Sequence, residues 1–200
     1  MYSIKYKHKD ASTEYYLYRA GDQEYCLTSG SLSMEMGKAG ELKVSLPITN
    51  PAIDSFECLT DEIIVLRDNV EIWRGRAVTS QQDFDLTGTL VCEGVLAYLY
   101  DTIYPPFEFQ GTPASLLNAV INNHNSFVNS DKQFTVGNIT VTDRNDYINR
   151  SCTDYLRSIE ILSDKFVGSS LGGYFRVRVD NGTKYLDYLD SYILQSQVRQ

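Results

Sequence analysis

Few residues in this 200-residue sequence could carry chemistry. There are two histidines, His8 and His124, and four cysteines, Cys26, Cys58, Cys92 and Cys152. His8 stands among Lys5, Lys7 and Lys9, and His124 lies in Asn122-Asn123-His124-Asn125; neither belongs to an HExxH or H-x-E arrangement that would hold zinc. At the polar end of a helix, His124 suits the helix dipole without any ligand role. The cysteines are widely separated, with no CxxC pair, and free thiols in a reducing cytosol are expected. No nucleophile elbow (GxSxG), SxxK or phosphate-cradling GxxxxGK[ST] occurs. Gly168-Ser169-Ser170-Leu171-Gly172-Gly173 is glycine-rich, but it follows a helix and precedes a strand, the reverse of the order that aims helix amides at an anion. Among the carboxylates, Asp187 and Asp190, and Asp83 and Asp85, come closest to a glycosidase pair. Three residues apart on a strand, Asp187 and Asp190 point to opposite faces, whereas Asp83 and Asp85 share one. The segment between Gln82 and Thr87 offers little of the burial that keeps one carboxyl protonated. The sequence therefore assigns no catalytic, cofactor-binding or metal-ligating residue, and no cofactor.

Composition narrows the classes further. A net charge of −8 repels phosphate backbones, so nucleic-acid binding is not expected. Lysines at 5, 7 and 9 would share one side of a strand and read as a solvated or edge-protecting face. Met1 to Asp10 is charged and lacks the apolar stretch of a signal peptide, and no run approaches the roughly 18 apolar residues of a membrane span. Hydrophobic residues make up 42%, enough for a true core, and the 15 tyrosines suit half-buried strands or wet interfaces.

The elements that would position these residues fall into two regions. Residues 1–104 read as short strands joined by turns, an antiparallel barrel-like domain. Glu14 to Arg19 and Glu24 to Thr28 flank a hairpin-type connection at Ala20-Gly21-Asp22-Gln23. Ser31 to Met36 and Glu41 to Leu46 alternate with period two around Gly37-Lys38-Ala39-Gly40. Glu62 to Arg67 meets Val70 to Arg76 across Asp68-Asn69, which tolerate positive φ. Asp85 to Glu93 closes the region, and a helical turn follows at Gly94 to Tyr100. Beyond Pro105-Pro106, residues 105–200 read as an α+β domain of two helices on a small antiparallel sheet. Thr112 caps a helix that starts at Pro113, buries Leu116, Leu117, Val120 and Ile121, and ends at Asn122 to Asn125. Phe134 to Val136 and Ile139 to Val141 form a hairpin over Gly137-Asn138. A second helix starts near Ser151 with Asp154 in a capping box, and Gly168 stops it. Gly173 to Val179 and Lys184 to Leu189 pair across Asp180-Asn181-Gly182-Thr183.

Several of these segments, in order, resemble the tail-hub proteins of phages and prophages of Gram-positive bacteria, known as prophage endopeptidase tail or tail-associated lysin proteins. They are Ala39-Gly40-Glu41-Leu42 leading into the loop Pro47 to Asp54, Glu71-Ile72-Trp73-Arg74-Gly75-Arg76, and Val91-Cys92-Glu93-Gly94 through Asp101. Ile121 to Asn125 follows, then Gly172-Gly173-Tyr174 with Tyr185 to Leu189. The resemblance implies the baseplate hub fold and a structural subunit of the tail tip, closing the end of the tail tube. It implies a homotrimer in the assembled tail, docked to the distal tail protein ring and the tape-measure protein. The location implied is the virion tail, assembled in the bacterial cytoplasm. Lytic or receptor-directed activity in such proteins lies in a long C-terminal region that the resemblance does not reach. The chain is accordingly expected to be non-enzymatic, and either an N-terminal fragment or a reduced homologue. The alternatives are a carbohydrate- or receptor-binding module of the adhesion apparatus and part of a tail-associated cell-wall hydrolase.

Overall fold

The structure is a computed structural model that describes residues 1–190 except Asp10, Met36, Asp54, 83–86, 142–147, 168–170 and Asn181. The chain divides into two compact units, Met1–Ala97 and Tyr98–Gln200.

The first unit is a curled, seven-stranded antiparallel half-barrel. Its strands are β1 (Tyr2–Lys7), β2 (Tyr15–Arg19), β3 (Ser29–Ser33), β4 (Glu41–Leu46), β5 (Glu62–Arg67), β6 (Val70–Gln82) and β7 (Gly88–Gly94). They lie in the order β2-β1-β5-β6-β7-β4-β3. The period-two pattern read in the sequence is the burial pattern found: Leu42, Val44 and Leu46 of β4 and Leu90 and Cys92 of β7 point inward with Ile63, Val65 and Leu17. Each such aliphatic side chain taken out of water contributes about 1.5–3 kcal/mol before the entropy of ordering is subtracted. The β5–β6 turn is as expected, with Asp68 at φ 53° and Asn69 at φ 62°, the mirror-image turn that matches strand twist.

Two expectations fail in this unit. Of the two readings of the lysine face, the edge-protecting one fails, because β2 and β5 pair on either side of β1. Glu24 to Thr28 does not pair as a strand with β2. The Asp22 carboxylate accepts from the Glu24 and Tyr25 amides at 2.9 and 3.3 Å, an Asx turn that redirects the chain and leaves one link, Arg19 N–H to the Tyr25 carbonyl at 2.9 Å.

A side chain instead ties β2 to the segment that follows it. Leu17 is the bulged residue of β2, skipped where Lys5 pairs with Tyr16 and Ile4 with Tyr18, so its carbonyl is free of the ladder. Buried Asn50 donates to that carbonyl at 3.0 Å and to the Cys26 carbonyl at 2.9 Å, and its own oxygen accepts from the Ala52 amide at 2.9 Å. Asn50→Asp retains the acceptor but turns both donors into repulsion with buried carbonyls. A loss of about 2–3 kcal/mol is expected as a lower urea midpoint; an unchanged midpoint would show that the seam contributes nothing.

The second unit begins with a 3₁₀ turn, Val95–Tyr100, that straddles its boundary. The helix α1 (Pro113–Phe127) is capped by Thr112, whose hydroxyl accepts from the Ser115 amide at 3.2 Å. It buries the expected face of Leu116, Leu117, Val120 and Ile121, but it does not end at Asn125. The Asn125 side chain points outward instead, accepting from the Phe134 amide at 2.9 Å and donating to its carbonyl at 2.7 Å, and the helix runs two residues further. Strands β8 (Ile103–Tyr104) and β9 (Phe107–Gly111) pair with β12 (Leu156–Arg157) and β11 (Ile148–Cys152). The second helix therefore cannot begin at Ser151, which is paired in β11. It begins at Ser158 as α2 (Ser158–Ile161), with Glu160 accepting from the Arg157 amide at 2.6 Å, and continues as π-helical turns over Leu162–Val167. Its proposed stop, Gly168, lies outside the described residues.

The remaining sheet has the order β10-β14-β13, built from β10 (Thr135–Ile139), β13 (Tyr174–Asp180) and β14 (Thr183–Leu189). The β13–β14 hairpin is as expected, with Gly182 at φ 80°; Asn181 lies outside the described residues. The hairpin over Gly137-Asn138 does not form. Those residues are a bulge inside β10, which runs parallel to β14.

Candidate functional site

Two side chains gather most of the singled-out segments, one in each unit. In the first, Trp73 of β6 is 7% exposed, and its indole rests on backbone where a Cβ would collide. A Cβ on Gly75 would overlap the indole and the Glu93 carbonyl, and one on Gly94 would overlap the Ala39 carbonyl. On Gly40, at φ 75°, a Cβ would stand 3.1 Å from the indole nitrogen and 2.8 Å from the Ser33 carbonyl. The Gly94 amide donates to the Gly40 carbonyl at 3.1 Å. Ala39-Gly40, Trp73-Arg74-Gly75 and Glu93-Gly94 are thus one constellation, a large ring seated on three bare stretches of main chain.

Charge is organised around the same strands. Arg74 makes paired hydrogen bonds of 3.0 and 2.8 Å to Glu71 and one of 2.6 Å to Glu62. Burial pulls its guanidinium pKa down, but the carboxylates of Glu71 and Glu62 outweigh that and raise it overall. Arg76, buried, bonds Glu93 at 2.9 and 2.7 Å. Arg74 to Glu62 and Arg76 to Glu93 fix side chains across neighbouring strands, while the paired Arg74–Glu71 bonds run along β6.

In the second unit the centre is Asp187, whose carboxylate is fully buried. It accepts from Arg176 at 2.7 Å, from Arg178 at 3.2 and 3.3 Å, and from the Asn138 amide at 2.8 Å. The last bond explains the failed hairpin. A Cβ on Gly137 would overlap the Asp187 carboxylate, so Gly137-Asn138 wraps an anion where the sequence suggested a turn. Beside it, Tyr188 stacks on Phe175 at 4.6 Å and donates its hydroxyl to the Gly172 carbonyl at 2.5 Å. Burial pushes its pKa up to about 12.

Asp187 and Asp190 do not assemble an acid–base site. Asp187 is spent on two arginines, while exposed Asp190 exchanges hydrogen bonds with Thr140 at 2.7 and 3.0 Å. Asp83 and Asp85 lie outside the described residues, as does most of the glycine-rich connection. Burial raises the Cys58 and Cys92 pKa values, which disfavours thiolates. Among the described residues no group of three His, Cys, Asp or Glu could hold a metal ion, and no helix is long and apolar enough to cross a membrane.

The histidines differ from their sequence reading. His8 finds a carboxylate after all: Asp61, 53 residues away and buried, lies 2.7 Å from its Nδ1. His124 is fully buried, not a solvated helix cap, with Thr102 at 2.8 Å and the Lys132 carbonyl at 3.1 Å on its two ring nitrogens. Both sets of partners are distant in sequence, and no local signal announced them.

A curled antiparallel half-barrel followed by an α+β unit is the fold of prophage tail proteins. Three solved structures share it: prophage tail protein gp18 of Listeria monocytogenes, at TM-score 0.54 and 12% identity over 92% of this chain and 50% of that one; the 43 kDa tail protein of prophage MuSo2 of Shewanella oneidensis, at 0.54 and 12% over 94% and 55%; and the tail protein of Neisseria meningitidis, at 0.53 and 10% over 92% and 50%. The chain spans about half the length of these proteins. No family model matches it, and no curated protein does.

Proposed function

We propose that this chain is a structural subunit of a phage or prophage tail, the N-terminal hub portion of its tip or baseplate. The carrying observation is that nearly the whole chain adopts the fold of prophage tail proteins. The polar residues support the reading. Asp187, Asn50, Arg74 and Arg76 are each engaged in holding backbone or a neighbouring strand. In this reading the chain closes the end of the tail tube as a homotrimer, docks the distal tail protein ring and the tape-measure protein, and performs no catalysis.

The test is antibody labelling of purified tails, viewed by negative-stain electron microscopy. Label confined to the tail end is expected. Label along the whole tube, or none on tails whose extract contains the chain, would overturn the hub assignment. Incubation of the purified chain with cell-wall sacculi should release no soluble fragments; turnover abolished by one Asp, Glu or His substitution would overturn the non-enzymatic reading.

A further inference from the structure

The second unit contains a buried chain of hydrogen bonds whose proton directions are fixed by a single carbonyl. His124 Nε2 lies 3.1 Å from the Lys132 carbonyl, which can only accept, so Nε2 carries the proton of the neutral ring. Nδ1 is therefore an acceptor, and the Thr102 hydroxyl at 2.8 Å must donate to it. With its proton so used, the Thr102 oxygen receives from the Ser158 hydroxyl, also at 2.8 Å. The Ser158 amide bonds the Thr102 carbonyl at 2.9 Å. One ring thus connects α1, the 3₁₀ turn Ser130–Lys132, the residue before β8 and the first residue of α2. His124, Thr102 and Ser158 are exposed by 0, 3 and 0%.

We propose that His124 is a proton-operated lock on α2. A second proton on the ring turns Nδ1 into a donor and forces Thr102 to accept from it. Thr102 then either gives its proton to Ser158, leaving the Ser158 proton without an acceptor among the described residues, or accepts from both neighbours and leaves its own proton unpaired. Protonation thus buries a charge and orphans one hydroxyl of the Thr102–Ser158 pair that holds the first residue of α2, where the neutral ring satisfies every group. The segment that would loosen is Ser158–Val167, whose short helix and π-helical turns make it the least regular helical part of the unit.

The charged groups facing the ring are few. Asp101 favours the imidazolium and Lys132 opposes it, and the two lie 3.7 Å apart. The sequence of α1 contains no other ionisable residue and β8 offers no charge. From α2 only Ser158 reaches the relay, since exposed Glu160 is turned to the Arg157 amide. Burial is the largest influence and holds the imidazole pKa below its ordinary value. A depressed histidine pKa means that the neutral ring stabilises the fold fully above about pH 6.5, and that this stability is lost as the pH falls below that value.

The experiment is thermal unfolding of the whole chain between pH 8 and 5, beside hydrogen exchange of Ser158–Val167. The wild-type midpoint should fall with acidification, with exchange in this segment accelerating before the rest of the unit. His8→Gln, at the chain's other histidine, is the control and should keep the acid loss. His124→Gln should lower the midpoint at pH 8 and remove most of its dependence on pH. If that variant does not fold, the imidazole resonances of wild-type His124 decide, because the lock requires a titration midpoint below the ordinary imidazole value. A pH dependence that survives in His124→Gln, or one that vanishes in His8→Gln, would overturn the proposal. So would acid-insensitive exchange at Ser158–Val167.

Discussion

Replacing Gly94 by alanine is expected to destabilise the first unit by about 3 kcal/mol or more, enough to abolish folding in a marginal domain. The added methyl meets the Ala39 carbonyl, and main chain cannot rotate away as a side chain can. Relief requires β7 to move, which breaks the Gly94–Gly40 hydrogen bond and unseats Trp73. Gly30→Ala is the matched control on β3. Its Cβ would meet the ends of Leu27 and Val44 at 3.3 and 3.6 Å, with main chain no nearer than the Lys43 carbonyl at 4.0 Å, so that change should stay within about 1 kcal/mol of wild type. Urea unfolding followed by the fluorescence of the sole tryptophan reads both. Equal midpoints for the two variants would show that the glycine seat is not rigid.

The second large effect is expected at Asp187. Asp187→Ala leaves the Asn138 amide without its acceptor and removes the anion between Arg176 and Arg178. Losing one partner of a buried pair costs about 3–5 kcal/mol. Here the arginine side chains are 37 and 36% exposed and regain water, so about 2–4 kcal/mol is expected. Asp187→Asn should lose less, because its carbonyl oxygen can still accept from the Asn138 amide. Added salt should change the loss little, since the carboxylate itself is out of solvent. Circular dichroism across a urea titration measures this, and a loss below about 0.5 kcal/mol for Asp187→Ala would place the carboxylate's stabilising role elsewhere.

What the sequence displayed and what it hid follow one physical division. Alternation in β4 and β7, the Asp68-Asn69 turn, the capped start of α1 and the β13–β14 hairpin are decided by neighbours along the chain, and they were legible. Arrangements decided by a distant polar group were not. Gly137-Asn138 has the composition of a turn, and only Asp187, about 50 residues on, makes it a bulge. Ser151 looks like a helix cap until Glu108 of β9 pairs opposite it. His8 and His124 showed no partner in the sequence because Asp61, Thr102 and Ser158 lie far from them along the chain. The glycine seat was half visible: Gly40, Gly75 and Gly94 stood in the segments carrying the family resemblance, but only the fold brings them to one ring.

The strand order of the first unit also sets a timetable for synthesis. The strand made first, β1, lies between β2 and β5, with Tyr2 opposite Arg67, and β4 waits for β7, with Leu42 opposite Cys92. Closing such long loops is slow, so the β5–β6 hairpin, with its two-residue turn, is the local nucleus on which the flanks condense. A nascent chain halted at Gly75 would hold β1, β2, β5 and the start of β6, while β3 and β4 would have no ladder to join. The half-barrel can close only once Gly94 has been made, and until then its aliphatic strands lack part of the sheet that buries them.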